Sequence, residues 1–294
     1  MVRWQPVARA GTPHPARVRR RLRRVGAAPC MTTAVAVAIV LLVLVVINVW
    51  VHLGPSGVHL VTGPLAALLL LFVGRMASLT WPELGLGRQM LSQGAKVACG
   101  AAMAVAIVYT LGVAIPLTRG AFRDTRYRLG LRAALYLSLV AIPLGTVLFE
   151  EVAFRGVLWA LLARDFGVAT ATTVSACLFG LWHVLPAVDL ARTHTSVRGP
   201  AQPRPGRVAL TVLATVVFTT LAGIVFAELR RDSGSLVAPI GLHWATNGLG
   251  VLAAARVWAI SPRDVAAPDE SAQVGLATQP SWQRIVARLR SGRS

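Results

Sequence analysis

The chain has 294 residues, 55% of them hydrophobic and only 14% charged, and its mean hydropathy is +0.63. Those values exclude an ordinary water-soluble enzyme and a disordered chain, and they place most of the sequence in a bilayer. The net charge of +19 resides mainly in tails and loops, where it relates to membrane surfaces more than to an anionic substrate.

Residues 1–30 form a basic tail, with RVRRRLRR at 17–24 and no acidic residue. The tail reads as disordered, with a charge that follows the positive-inside rule and attracts anionic lipid. Nucleic acid is not an expected partner, because neither aromatic interleaving nor a recognisable binding fold accompanies the charge. The apolar run Met31–Val51 is longer than a signal-peptide core and no A-x-A site follows it, so it is expected to remain as an anchor. Further apolar runs cover Val58–Phe72, Val97–Leu117, the over-long Leu131–Leu162, Val168–Val188, Val208–Phe226 and Leu236–Ile260. None shows the two-residue alternation of a barrel, so the backbone must satisfy itself within helices. The fold class is therefore all-α, a polytopic bundle of about seven to eight transmembrane helices.

Between the runs, Asp189–Arg207 is rich in Pro, Gly and Arg and reads as an exposed loop, as does the tail 261–294 with its basic RIVARLRSGR. Placing the N-terminal tail in the cytosol sets the five arginines of Arg119–Arg132 and the 189–207 loop outside, against the positive-inside rule. A re-entrant SLTWPELGLG (78–87) would relieve that conflict. Cys30, Cys99 and Cys177 lack CxxC pairing, offer no disulfide or zinc framework, and are expected to pack between helices. No internal repeat is present.

Ionisable residues within the runs are costly in lipid and mark function by default. Glu150, Glu151 and Arg155 occur in VLFEEVAFRG, His183 in FGLWH, and His243 with Asn247 in HWATN. Glu151 and Arg155 are i, i+4 on a helix, acid first, the favourable order for an ion pair. Glu150 lies about 100° around the helix from Glu151, so one carboxylate can be held while the other stays available. His243 and Asn247, also i, i+4, are expected to share a face. If Arg164–Gly167 is a tight turn, Glu150 and His183 lie equally far from it, about 24 Å at 1.5 Å per residue. They would then meet at one depth, able to polarise a water. Each group alone also has a structural reading: an ion pair, a satisfied histidine, an interhelical amide.

EExxxR, FxxxH and HxxxN, in that order on successive membrane helices, resemble the signature of the CPBP family. These are the CAAX-protease and bacteriocin-processing (Abi) intramembrane proteases, also called type II CAAX prenyl endopeptidases. The resemblance covers about residues 131–255 of a membrane domain spanning 31–260. It implies peptide-bond hydrolysis within the membrane: Glu150 and His183 activate a water, His243 and Asn247 stabilise the oxyanion, and Glu151 with Arg155 supports them. A buried carboxylate is suited to accept a proton, and imidazole and amide are suited to donate to an oxyanion. The resemblance leaves the metal open. Glu150, His183 and His243 could hold zinc, yet HExxH is absent and the histidines come from separate helices, which favours a metal-free site. The expected partners are a membrane protein or lipidated peptide as substrate and anionic lipid at the arginine tail, and the expected location is the plasma membrane. Two other classes fit parts of the pattern. A proton- or ion-coupled transporter would show two related halves, and a non-catalytic immunity or partner protein would not need every motif residue.

Overall fold

A computed structural model describes residues 31–53, 59–195 and 205–260; the tails, Cys30 and the centre of the 189–207 linker lie outside the described residues. Among the described residues the structure is helical. We number the helices α1 (Thr33–Leu53), α2 (His59–Met76), α3 (Arg88–Ala114), α4 (Leu131–Phe166), α5 (Val168–Trp182), α6 (Val184–Thr195), α7 (Pro205–Ser233) and α8 (residues 237–260). Six of them are long and apolar enough to cross a membrane: α1, α2, α3, α4, α5 continued into α6, and α7. The seventh expected run does form a helix, α8, but His243, Asn247 and Arg256 make it less apolar than the six. Together these helices make an integral membrane bundle.

α4 is the organising element. Its 36 residues run unbroken, and 39% of its apolar window is buried, against 0% for α3 and 6% for α7. α3 and α7 thus present most of their surface to lipid, while α4 lies inside. The apolar core is built along α4 from Phe149, Val152, Phe154, Val157, Leu158 and Leu161, with Leu70 of α2 and Phe179 of α5 packed against it. Pro143, which removes a backbone donor, and Gly145 make residues 143–145 the place where a break in α4 would fall. None occurs. The helix widens instead, with Ile142 N–H bonding Leu137 O and Leu148 N–H bonding Pro143 O, five residues back. Wide turns of this type absorb an irregularity without ending the helix. A second wide stretch, Val152–Leu158, lies just past the acidic pair and carries Arg155.

α2 crosses α4 at Gly63 and Gly145. A Cβ on Gly63 would lie 2.8 Å from Gly145 O, so the two backbones touch, as small residues allow in membranes. Gly63→Leu should force them apart and cost about 1–3 kcal/mol of overpacking, lowering the thermal midpoint measured in detergent.

The α4–α5 hairpin turns where the sequence indicates. Gly167 has φ 86°, a conformation closed to most L residues, and α5 starts at the next residue. Trp159 Nε1–H donates to Thr172 Oγ1 at 3.1 Å, and Ser175 Oγ–H to Phe154 O at 2.8 Å, which pins the register. Segment 77–87 forms no helix long enough to cross a membrane. It folds as turns whose Leu79 and Leu84 are fully buried. Arg230 of α7 fixes this segment by donating to Glu83 O (2.7 Å) and Pro82 O (3.3 Å), and Gly85, at φ 79°, leaves room for that guanidinium.

Two sets of contacts define the ends of the bundle. Arg164 bonds Ala77 O at 2.8 Å and faces Glu83 at 3.7 Å, gathering the 77–87 turns, the α4–α5 turn and the end of α7 on one side. On the other side, Trp258 Nε1–H donates to Asp124 O (2.9 Å), and Asn48 near the end of α1 donates to Trp182 O (3.1 Å). Met31 therefore sits on the side away from Arg119–Arg132, so the charge conflict met in the sequence is a property of the fold. Two smaller expectations change. The linker from Asp189 continues as helix α6 to Thr195, so its first part is not an irregular loop. Cys99 and Cys177 are exposed on outer faces and do not pack between helices; in a bilayer-facing position a thiol serves as a small apolar side chain.

Candidate active site

The EExxxR helix turns both glutamates inward. Glu151 and Arg155 are fully buried and Glu150 is 4% exposed. Arg155 Nη1–H donates to Glu151 Oε1 at 3.0 Å, the i, i+4 pair expected from spacing. The guanidinium lies 4.0 Å from the Phe179 ring centroid and 4.9 Å from that of Phe226, and Nη2 reaches Gly223 O at 3.4 Å. Aromatic faces and one carbonyl thus replace water around a charge that has left it. A Cβ at Gly223 would crowd Ala176 Cα at 3.0 Å, so glycine lets α7 come close enough to cover the arginine.

α8 delivers His243 to the same carboxylate. His243 Nδ1 lies 2.7 Å from Glu151 Oε1; a carboxylate already holding Arg155 accepts, so Nδ1 carries the proton. That bond fixes the tautomer and aims Nε2 at Glu150, whose Oε2 is 3.8 Å away. The ring stacks on Phe226 with centroids 5.0 Å apart. His243 lies near the start of α8, yet it reaches mid-bundle. The reason is that the turn before α8 is itself internal: Ser235 and Leu236 are fully buried and Leu236 N–H bonds Gly85 O at 2.9 Å.

Glu150 is held by a residue that sequence reasoning missed. Trp182 Nε1–H donates to Glu150 Oε1 at 3.0 Å, while Oε2 is buried without a hydrogen-bond partner. The hairpin register puts Trp182, one residue before the expected His183, opposite Glu150. The only sequence signal for it was this position. His183 ends α5 and turns its Nδ1–H onto Phe179 O at 2.8 Å, leaving Nε2 as the open nitrogen. Its ring and that of His243 flank Phe179, at 4.6 and 5.8 Å. No hydrogen bond joins His183 to Glu150.

Asn247 departs from the expected shared face. His243 is 3% exposed whereas Asn247 is exposed. The intervening stretch Ala245–Leu249 is a wide turn, and four residues on such a turn no longer return to the same azimuth. The Asn247 amide has no hydrogen bond among the described residues.

Each carboxylate thus has one engaged oxygen and one buried Oε2 without a hydrogen-bond partner, and what sets Glu150 apart is that its Oε2 faces His243 Nε2 at 3.8 Å. Among the described residues no three His, Cys, Asp or Glu side chains converge as a metal shell. Glu151 Oε1 is occupied by Arg155 and His243, and Glu150, His183 and His243 do not close on one point. The donor set does not fit a zinc ion, and the chemistry below uses none.

The fold and site together define a polytopic membrane protein with a buried acid, base and imidazole cluster. The model of the type II CAAX prenyl endopeptidase Rce1-like family matches residues 132–249, and this stretch is similar to that family. It contains every motif residue named above. No curated protein and no solved structure matches the chain.

Proposed function

We propose that the protein hydrolyses a peptide bond of a membrane-associated substrate, with Glu150 as the base. The observation that carries this reading is Glu150 Oε2, buried, unpartnered and 3.8 Å from His243 Nε2. A water about 2.8 Å from each would bridge them, off the line between the two atoms. That water adds its oxygen to the scissile carbonyl carbon while its proton passes to Oε2. The negative charge that develops on the carbonyl oxygen takes a hydrogen bond from His243 when its Nε2 is protonated; Asn247, exposed and off that face, has no part in this step. The carbon–nitrogen bond then breaks, the proton on Glu150 passes to the departing amine, and the other product keeps the carboxylate. Glu151 and Arg155 hold His243 in the required tautomer, the orienting role that a buried carboxylate plays for a catalytic histidine.

The substrate class we favour is a lipidated peptide, the prenylated kind named in the family's description, cleaved in the plasma membrane with the arginine tail on anionic lipid. The test is cleavage by the protein in liposomes of a quenched peptide with and without a prenylated cysteine. Faster release from the prenylated form supports the substrate class; equal rates reject it.

Trp182→Phe keeps the ring beside Phe149 and Phe154 but removes the donor to Glu150 Oε1. A hydrogen bond to a charged group contributes about 1.5–3 kcal/mol, so kcat should fall at least about tenfold with the thermal midpoint little changed.

A further inference from the structure

A groove of about 530 Å³ lies between α3 and α8, lined by none of Glu150, Glu151, Arg155, His183 or His243, on the side of the bundle that carries the arginine loop. Its walls are apolar, with Val113, Leu252 and Ile260 among them, and Tyr109 and the guanidinium-bearing Arg119 and Arg256 also line it. α3 beside it faces outward, with Met103, Ile107 and Leu111 each more than half exposed. In a bilayer the groove therefore opens onto lipid.

The charge at its rim is one-sided. Arg119 spends Nε and one amino group on Val113 O (2.8 Å) and Ala114 O (3.1 Å), carbonyls at the end of α3, which holds the guanidinium at the groove mouth. Arg256 is exposed. Neither arginine has a carboxylate partner among the described residues. The nearby acid, Asp124, already bonds Arg126 at 2.6 Å. Arg123 and Arg128 lie over Trp258, at 6.0 and 5.5 Å from its centroid, so the same edge combines an interfacial tryptophan with cations, as membrane-surface anchors do.

We propose that this groove binds an anionic glycerophospholipid, its phosphate between Arg119 and Arg256 and one acyl chain along the apolar wall of α3 and α8. Two cations without counter-charge at the mouth of an apolar slot match a lipid that has an anionic head and a hydrocarbon chain. A zwitterionic lipid brings its own cation to the same place and is disfavoured. The site is independent of the arginine tail, and its occupancy does not depend on the catalytic assignment.

The experiment titrates the full-length protein in detergent with phosphatidylglycerol or phosphatidylcholine and reads bound lipid by native mass spectrometry and the thermal midpoint. Phosphatidylglycerol should bind and raise the midpoint, and phosphatidylcholine should do so much less. Near an anionic lipid phase each arginine contributes about 1 kcal/mol, about fivefold in affinity. Arg256→Gln should therefore weaken phosphatidylglycerol about fivefold, and adding Arg119→Gln should bring the loss to about thirtyfold. Arg119 also caps α3, so the single Arg256→Gln decides if the double variant fails to fold. Unchanged affinity in Arg256→Gln overturns the proposal. So does an equal response to phosphatidylcholine, or a midpoint shift reproduced by inorganic phosphate alone, which would mark the site as one for free anions.

Discussion

Glu150→Gln is expected to remove proteolysis while the protein accumulates in membranes at its normal level. The substitution preserves shape and the oxygen that accepts from Trp182, since an amide carbonyl can take that N–H at Oε1's position. What it removes is proton affinity at the other atom, the buried and unpartnered Oε2 beside His243. General-base catalysis contributes about 10²–10⁴-fold, and here the base also positions the water, so the loss should lie at the upper end. The control is Glu150→Asp, which keeps the charge but withdraws it by about one methylene, roughly 1.5 Å, and should retain partial activity. Full activity in Glu150→Gln would transfer the base role to another group.

Arg155→Ala should act on folding before it acts on chemistry. Arg155 and Glu151 are both fully buried and 3.0 Å apart, and removal of the cation leaves a carboxylate in the bundle interior with only His243 for company. Breaking a buried pair from one side costs about 3–5 kcal/mol, a large fraction of the stability of a typical domain. The variant should therefore be expressed poorly and melt early. Glu151→Leu combined with Arg155→Met removes both charges and should accumulate better than Arg155→Ala alone, yet stay inactive because His243 loses the acceptor at Nδ1. If Arg155→Ala and native protein melt alike, the pair carries no load in the fold.

The spans were legible because lipid allows the backbone only one economical solution, and the apolar runs mark each helix, although α3 starts at Arg88 and α7 ends at Ser233, outside the runs Val97–Leu117 and Val208–Phe226. The EExxxR pair was legible for the same reason: i, i+4 spacing survives even where α4 widens around Arg155. The hairpin was legible from Gly167, since the register follows once the turn is placed. What one-dimensional spacing did not carry was azimuth at irregular turns. Asn247 left the face of His243 because Ala245–Leu249 widens, and Trp182 replaced His183 opposite Glu150 because α5 ends at that residue and the imidazole turns back onto Phe179 O. The aromatic enclosure of Arg155 by Phe179 and Phe226, and the close approach at Gly223, came from three separate segments. No local pattern marks them. The inward-folded 77–87 turns were likewise concealed, because they depend on Arg230, more than 140 residues later.

The central claim is that Glu150 and His243 serve one hydrolytic centre, and new peptide termini in membranes test it most directly. Cells carrying the native protein, Glu150→Gln or His243→Gln at matched levels would be compared by labelling free amino termini in the membrane fraction and sequencing them. The account predicts a small set of membrane-associated termini present with the native protein and missing from both variants alike. The same termini in all three samples would contradict it, because cleavage would then proceed without the carboxylate and the imidazole assigned to it.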